Sequence, residues 1–254
     1  MAIEKNISSK EIVEKIINSA PEEFETRNND DEFAYIQLSS FCSNDCMYCS
    51  YSRENWTIER KRITAEEAVA EAKKQYDAGK KYILLYGGLD IFYTAEKIAA
   101  IIKKIKEECP DSVLYAAFEE RVYEDYKVFY DAGADGFILP HRSANEDHFS
   151  RLHPMDMYPD FRKNVLPIIK EMGMKIGTGI TVGWPYQTAE MLAEDIEFVK
   201  NLEFDLVVVD RFIPQQDTDF ESFAKGDIRQ TEKVRGIVSE LLPDAIILSK
   251  LELC

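Results

Sequence analysis

The chain has 254 residues, 45% of them hydrophobic, enough to bury a real core. Its formal net charge is −16, which argues against non-specific binding to nucleic acid or to an anionic membrane surface. No stretch is apolar enough to span a bilayer, and the mixed-charge N-terminus has no apolar leader core, so a cytoplasmic protein is expected.

Residues 1–32 read as a helical lead-in, with a helix over 9–20 expected to cap the bottom of the domain formed by 33–254. Short apolar runs, several of them β-branched, follow at 33–40, 82–86, 113–118, 136–139, 175–182, 206–209 and 245–248. Such runs suit strands buried on both faces. Amphipathic helical patterns separate them, over 64–78, 96–108, 124–132, 161–172, 189–202 and 229–242. Thr64 and Glu67 form a capping box, and Gly79, Gly133 and Gly173 each stand where a helix should stop. Strand–helix alternation predicts parallel βαβ units and the α/β class. Six or seven strands fall short of a closed eight-stranded barrel, so a partial, open (β/α) barrel is expected, with its chemistry at the C-terminal strand ends.

Three of the five cysteines cluster directly after the first strand, as Cys42-x3-Cys46-x2-Cys49. A tight cluster of soft thiolates reads as a metal site rather than a disulfide framework. Three ligands leave one metal position open. On an iron–sulfur cubane the open iron can chelate a small molecule through an amine and a carboxylate; on zinc it would hold water. A structural zinc site would want a fourth ligand nearby, and His141, His148 and His153 lie far downstream. Cys109 and Cys254 read as ordinary thiols.

The cysteine spacing, with Tyr48 just before the third cysteine, resembles the radical S-adenosylmethionine (SAM) superfamily. The runs CMYCSYSREN, RITAEEAVAEAKKQYDAGKKYILLYGG, ANEDHFSRLHP, GTGITVGWPYQT and RFIPQQDTDF resemble a subgroup containing biotin synthase, methylornithine synthase and the E-type [FeFe]-hydrogenase maturase. The resemblance implies a barrel of the radical SAM type and two cofactors, a [4Fe–4S] cluster on Cys42, Cys46 and Cys49 and SAM itself. It implies reductive cleavage of SAM to a 5′-deoxyadenosyl radical that abstracts hydrogen from a small-molecule substrate. A low-potential flavodoxin or ferredoxin is the implied reductant. The resemblance also implies cofactor-binding roles: Tyr48 at the adenine, Gly87 and Gly88 at the methionyl amine, Glu119 at the ribose or amino group, Thr178 in the pocket-lining fifth strand, and Ile213 as an apolar adenine contact. Asn145, His153 and Pro154 would shape the loop beside the site, with His153 structural.

Two motifs depart from the subgroup. After strand two the run is Gly87-Gly88-Leu89-Asp90, where relatives often carry Gly-Glu; Asp90 could serve the amine if the loop is rotated. After strand four the run is Pro140-His141-Arg142, so the cation for the methionyl carboxylate is expected at Arg142. These departures leave a second reading open, an iron–sulfur scaffold or electron-transfer protein that has lost SAM cleavage.

Overall fold

The computed structural model describes residues 7–250, so Cys254 lies outside the described residues. Seven strands form one sheet: β1 (Phe33–Ser39), β2 (Tyr82–Gly87), β3 (Val113–Ala117), β4 (Gly136–Ile138), β5 (Lys175–Val182), β6 (Leu206–Arg211) and β7 (Ile246–Leu248). Each pairs in parallel with the next, in the order β1 to β7. Helices α1 (Ser9–Asn18), α2 (Ala65–Asp77), α3 (Ala95–Glu108), α4 (Tyr123–Asp131), α5 (Glu146–Leu152), α6 (Pro159–Glu171), α7 (Ala189–Leu202) and α8 (Ile228–Leu241) complete the chain. This is an open (β/α) barrel. The short α5 has too few turns to show a helical period, and only its cap, Asn145 accepting from the His148 N–H, announces it.

Alternation along the strands divides the core in two. Leu84, Tyr86, Tyr115, Ala117, Ile138, Leu206 and Val208 fill the concave face. Ile36, Leu38, Ile83, Leu85, Ile176, Ile180, Val207 and Val209 face the helices on the convex side. Each fully buried aliphatic side chain there contributes about 1.5–3 kcal/mol.

The expected position of the leading helix needs correction. α1 lies in the outer helical layer against α7, with Ile12 and Ile16 buried, rather than across the bottom of the barrel. Ser9 Oγ donates to Glu197 and Lys233 Nζ to the Ile16 carbonyl. Its apolar stripe packs on helices because the amphipathic pattern specifies a buried face, not which surface buries it.

The segment that does meet the barrel follows α1. The Arg27 guanidinium donates to the carbonyls of Pro243 (2.8 Å), Ala245 (2.6 Å), Ser239 (2.9 Å) and Leu242 (2.5 Å), groups that the end of α8 leaves without intrahelical partners. The Asn29 N–H donates to the Ile247 carbonyl at 2.8 Å, and Asp30 accepts from the Ser249 N–H at 3.0 Å. The free edge of β7 is thereby covered.

Candidate functional site

Residues 40–64 connect β1 to α2 without a helix or strand, longer than an ordinary connection and typical of a functional loop. One arginine organises it. Arg60 donates to the carbonyls of Ser40 (2.7 Å), Tyr51 (2.9 Å), Ser52 (2.6 Å) and Asn55 (2.9 Å). These four carbonyls flank the cysteines on both sides, so one planar guanidinium fixes the loop's outline.

Cys42, Cys46 and Cys49 line one small recess with Tyr48, Gly88 and Glu119. Cys46 and Cys49 are buried and Cys42 is half-buried. Backbone N–H groups point at two of the sulfurs: Asn44 and Leu89 each at 3.4 Å from Cys42 Sγ, and Tyr51 at 3.3 Å from Cys49 Sγ. Such donors favour thiolate over thiol, and hydrogen bonds to sulfur set the potential of a bound cluster. The recess therefore fits a thiolate-ligated cluster. Zinc fits less well. His153 does come to the loop, but Nδ1–H donates to the Phe149 carbonyl at 3.0 Å, which leaves Nε2 to accept from the Tyr48 hydroxyl at 3.1 Å. Burial, helped by the Arg162 charge, holds His153 well below the usual histidine pKa, so the neutral ring is fully engaged. Among the described residues no three His, Cys, Asp or Glu side chains converge on a single-ion site.

Gly88 is required where it stands. A Cβ there would lie 2.4 Å from the Phe41 carbonyl oxygen and 2.8 Å from Cys42 Cβ. Its smallness lets the end of β2 press against the cysteine loop. Gly87 is also tight, with the Ser39 carbonyl oxygen 3.1 Å from such a Cβ. The expectation for Asp90 is corrected. Its carboxylate binds Arg62 at 2.6 and 2.9 Å and Ser39 at 2.6 Å, so it is wholly committed to bracing the loop. Burial works against its charge, but these donors outweigh burial and hold the carboxyl below its ordinary pKa.

Tyr48 separates the recess from a cavity of about 390 Å³ at the C-terminal strand ends. The cavity wall includes Tyr48, Arg142, Trp184, Asp210, Phe212 and Ile213. Ile213 is 45% exposed, so it is not core packing. The Trp184 ring sits 4.6 Å from that of Tyr48, and its buried indole N–H has no partner among the described residues. An orphaned donor in a cavity wall is what a bound polar ligand would satisfy.

Arg142 of the cavity wall and Glu119 of the recess meet at 3.8 Å, both from backbone in the left-handed region (φ 67° and 55°). The Arg142 guanidinium also lies 5.1 Å from the Tyr48 ring centroid. Tyr48, Gly88, Glu119, Arg142 and Ile213 are thus brought together around the recess and cavity. Thr178 is not, and its assignment is corrected. It sits on the convex face, where its hydroxyl donates to the Leu139 carbonyl at 3.1 Å and meets the His141 ring at 2.9 Å. The concave residue of that strand is Thr181, whose register partner on β6 is Asp210.

The sequence reading missed three participants. Arg162 of α6 is completely buried and binds Glu119 (2.9 Å), Glu120 (2.6 Å) and the Pro140 carbonyl (2.5 Å). Burial opposes its charge, yet the two carboxylates raise its pKa above the ordinary value. Asp210 has its carboxyl pushed up to about 6 by burial, against the pull of Thr181, Arg142 and Arg235. Asp195 of α7 is fully buried behind the turn that carries Arg142. Strand alternation alone could have flagged Asp210, an acid in phase with the concave face of β6.

The family model for the "Radical SAM superfamily" matches residues 36–199. The chain belongs to the radical SAM superfamily. The family implies a [4Fe–4S] cluster and SAM as cofactors, and the cysteine recess fits the first. This radical SAM chain is 36% identical over 214 residues to the [FeFe] hydrogenase maturase subunit HydE of Thermotoga maritima, covering 84% of itself and 61% of that protein. It is 25% identical over 223 residues to 3-methylornithine synthase of Methanosarcina acetivorans, covering 86% of itself and 62% of the synthase. It therefore spans under two thirds of the length of these relatives. In fold it is similar to the crystal structure of methylornithine synthase (PylB), with a TM-score of 0.78 at 20% identity over 94% of this chain and 68% of that one. Among the described residues no helix is long and apolar enough to cross a membrane.

Proposed function

We propose that this chain holds a [4Fe–4S] cluster on Cys42, Cys46 and Cys49, cleaves SAM reductively, and directs the product radical at a small molecule in the barrel. The observation that carries this reading is the three-thiol recess lying next to the strand-end cavity, with Tyr48 in the wall of both. Held by Cys42, Cys46 and Cys49, the cluster would supply the low-potential electron for reductive cleavage of the S–C5′ bond of SAM.

The chain's own residues bind, orient and exclude water. Tyr48, its hydroxyl tied to His153, offers a fixed ring for adenine, with Ile213 in the same cavity wall. The backbone at Gly87 and Gly88 meets the methionyl amine. Glu119, held by Arg162, takes the ribose or amino group. Arg142 serves the methionyl carboxylate, a group too costly to bury without a cation. Arg162 cannot take that task, because its donors already serve two carboxylates and a carbonyl. Trp184, Phe212 and Phe220 close an apolar wall around the cysteines and keep water from a reactive intermediate. A low-potential flavodoxin or ferredoxin delivers the electron.

The test is anaerobic reconstitution with iron and sulfide, addition of dithionite and SAM, and mass spectrometry for 5′-deoxyadenosine. The product is expected with the wild-type chain and is expected to vanish with Cys42→Ala. A loaded cluster with no cleavage would replace this reading with the iron–sulfur scaffold.

A further inference from the structure

We propose that Asp195, acting through His141 and Thr178, is a positioning residue that locks the turn after β4 and thereby aims Arg142 into the cavity. The inference rests on the role given to Arg142 above. It starts from a backbone outlier. Arg142 adopts φ 67°, in the left-handed region that an L-residue with a side chain rarely occupies. Such strain persists only where the surroundings over-determine it.

Both flanks of Arg142 are pinned. The His141 N–H donates to Thr178 Oγ1 at 3.0 Å, and the His141 ring bridges Thr178 Oγ1 (2.9 Å) and Asp195 Oδ1 (3.3 Å). On the other side the Ala144 N–H donates to the same Asp195 oxygen at 2.6 Å. Asp195 thus grips the residue before Arg142 and the second residue after it. The turn between is tightened by the Ser143 N–H donating to the His141 carbonyl at 2.8 Å. With both flanks held, the Arg142 side chain leaves toward Glu119 and Tyr48.

Asp195 has no better explanation. It lies on the core-facing side of α7 beside Leu192, Ala193, Ile196 and Val199, where an apolar residue would pack at no polar cost. Its Oδ2 is buried without a hydrogen-bond partner among the described residues, an arrangement that subtracts from stability. Neither Asp195 nor Thr178 lines the cavity, so any influence on a ligand must pass through the turn.

The experiment is a double-mutant cycle on SAM affinity, measured by equilibrium dialysis with the reconstituted protein. Asp195→Ala should weaken SAM binding about tenfold, comparable to losing one charge-assisted hydrogen bond. Asp195→Asn keeps an acceptor oxygen and should restore affinity to within about twofold. In an Arg142→Ala background, Asp195→Ala should add less than about twofold, because the residue it positions is gone. Equal effects in both backgrounds, or none in either, would overturn the inference. Thr178→Val, which removes the same brace without touching α7, should behave like Asp195→Ala and covers the case in which that variant does not fold. If the wild-type chain takes up no SAM, the role of Arg142 fails first. A crystal structure of Asp195→Ala then decides this inference alone: an Arg142 side chain displaced from Tyr48 supports it, and an unmoved one refutes it.

Discussion

The cysteine loop and the turn after β4 both present charged or sulfur groups to one site, yet they are held in opposite ways. The loop is braced mainly from within: Arg60 and Arg62 belong to residues 40–64 and reach back to Ser40, Tyr51, Ser52, Asn55 and the Phe41 ring, while Asp90, just past β2, anchors Arg62. The turn is held from outside, by Thr178 on β5, Asp195 on α7 and Arg162 on α6. A loop braced largely from within and from the end of β2 depends little on the packing of the helical layer. An externally braced turn transmits the packing of the helical layer into the site, so it is where small differences between relatives would change ligand binding.

This contrast predicts that damage to the loop is lost iron, and damage to the turn is lost SAM affinity with iron retained. The largest effect is expected from Gly88→Ala. Its Cβ would meet backbone oxygen and Cys42 at distances no side-chain rotation can relieve, costing about 3 kcal/mol of stability by urea denaturation and most of the reconstituted iron. Next is Arg60→Met, which keeps the stem but leaves four carbonyls without their donor. We expect a loss of about 2 kcal/mol and partial iron loading, with SAM affinity per loaded cluster unchanged. Iron loading at the wild-type level in both variants would break the distinction.

The smallest effect is a pH-dependent one at Asp210, which belongs to neither region. Its folded pKa of about 6 exceeds the ordinary unfolded carboxyl value, so the folded chain binds more protons over that interval. The stability it contributes is therefore full in acid and is lost as pH rises through about 6. Asp210→Asn should be more stable than wild type at pH 8 by about 1–2 kcal/mol, and the difference should close below about pH 4. A constant offset across that range would show that Asp210 titrates normally. His153 works in the other direction: it stays neutral when buried, so its contribution is lost as pH falls below the ordinary histidine range.

What was legible in the sequence was whatever local physics writes into neighbouring residues. Short apolar runs, several of them β-branched, located the seven strands, and the run at 175–182 coincides with β5 as observed. The Thr64 cap fixed the start of α2, because an N-cap bond closes within three residues. The Cys42-x3-Cys46-x2-Cys49 spacing carried the metal site for the same reason. The tertiary structure decided the rest. Alternation puts Thr178 and Thr181 of GTGITV on opposite faces, but only the tertiary structure shows which one faces the helices and which the cavity. Asp90 and Asp195 read as ordinary acids until Arg62 and the Ala144 N–H arrive from elsewhere. The lead-in helix advertised an apolar stripe but not that α7 would bury it, and Arg27 gave no sign that it would cover the end of α8. The division has one physical cause. A strand, a cap or a ligand spacing is set by bonds between near neighbours, whereas the partner of a buried charge is chosen only when distant elements close around it.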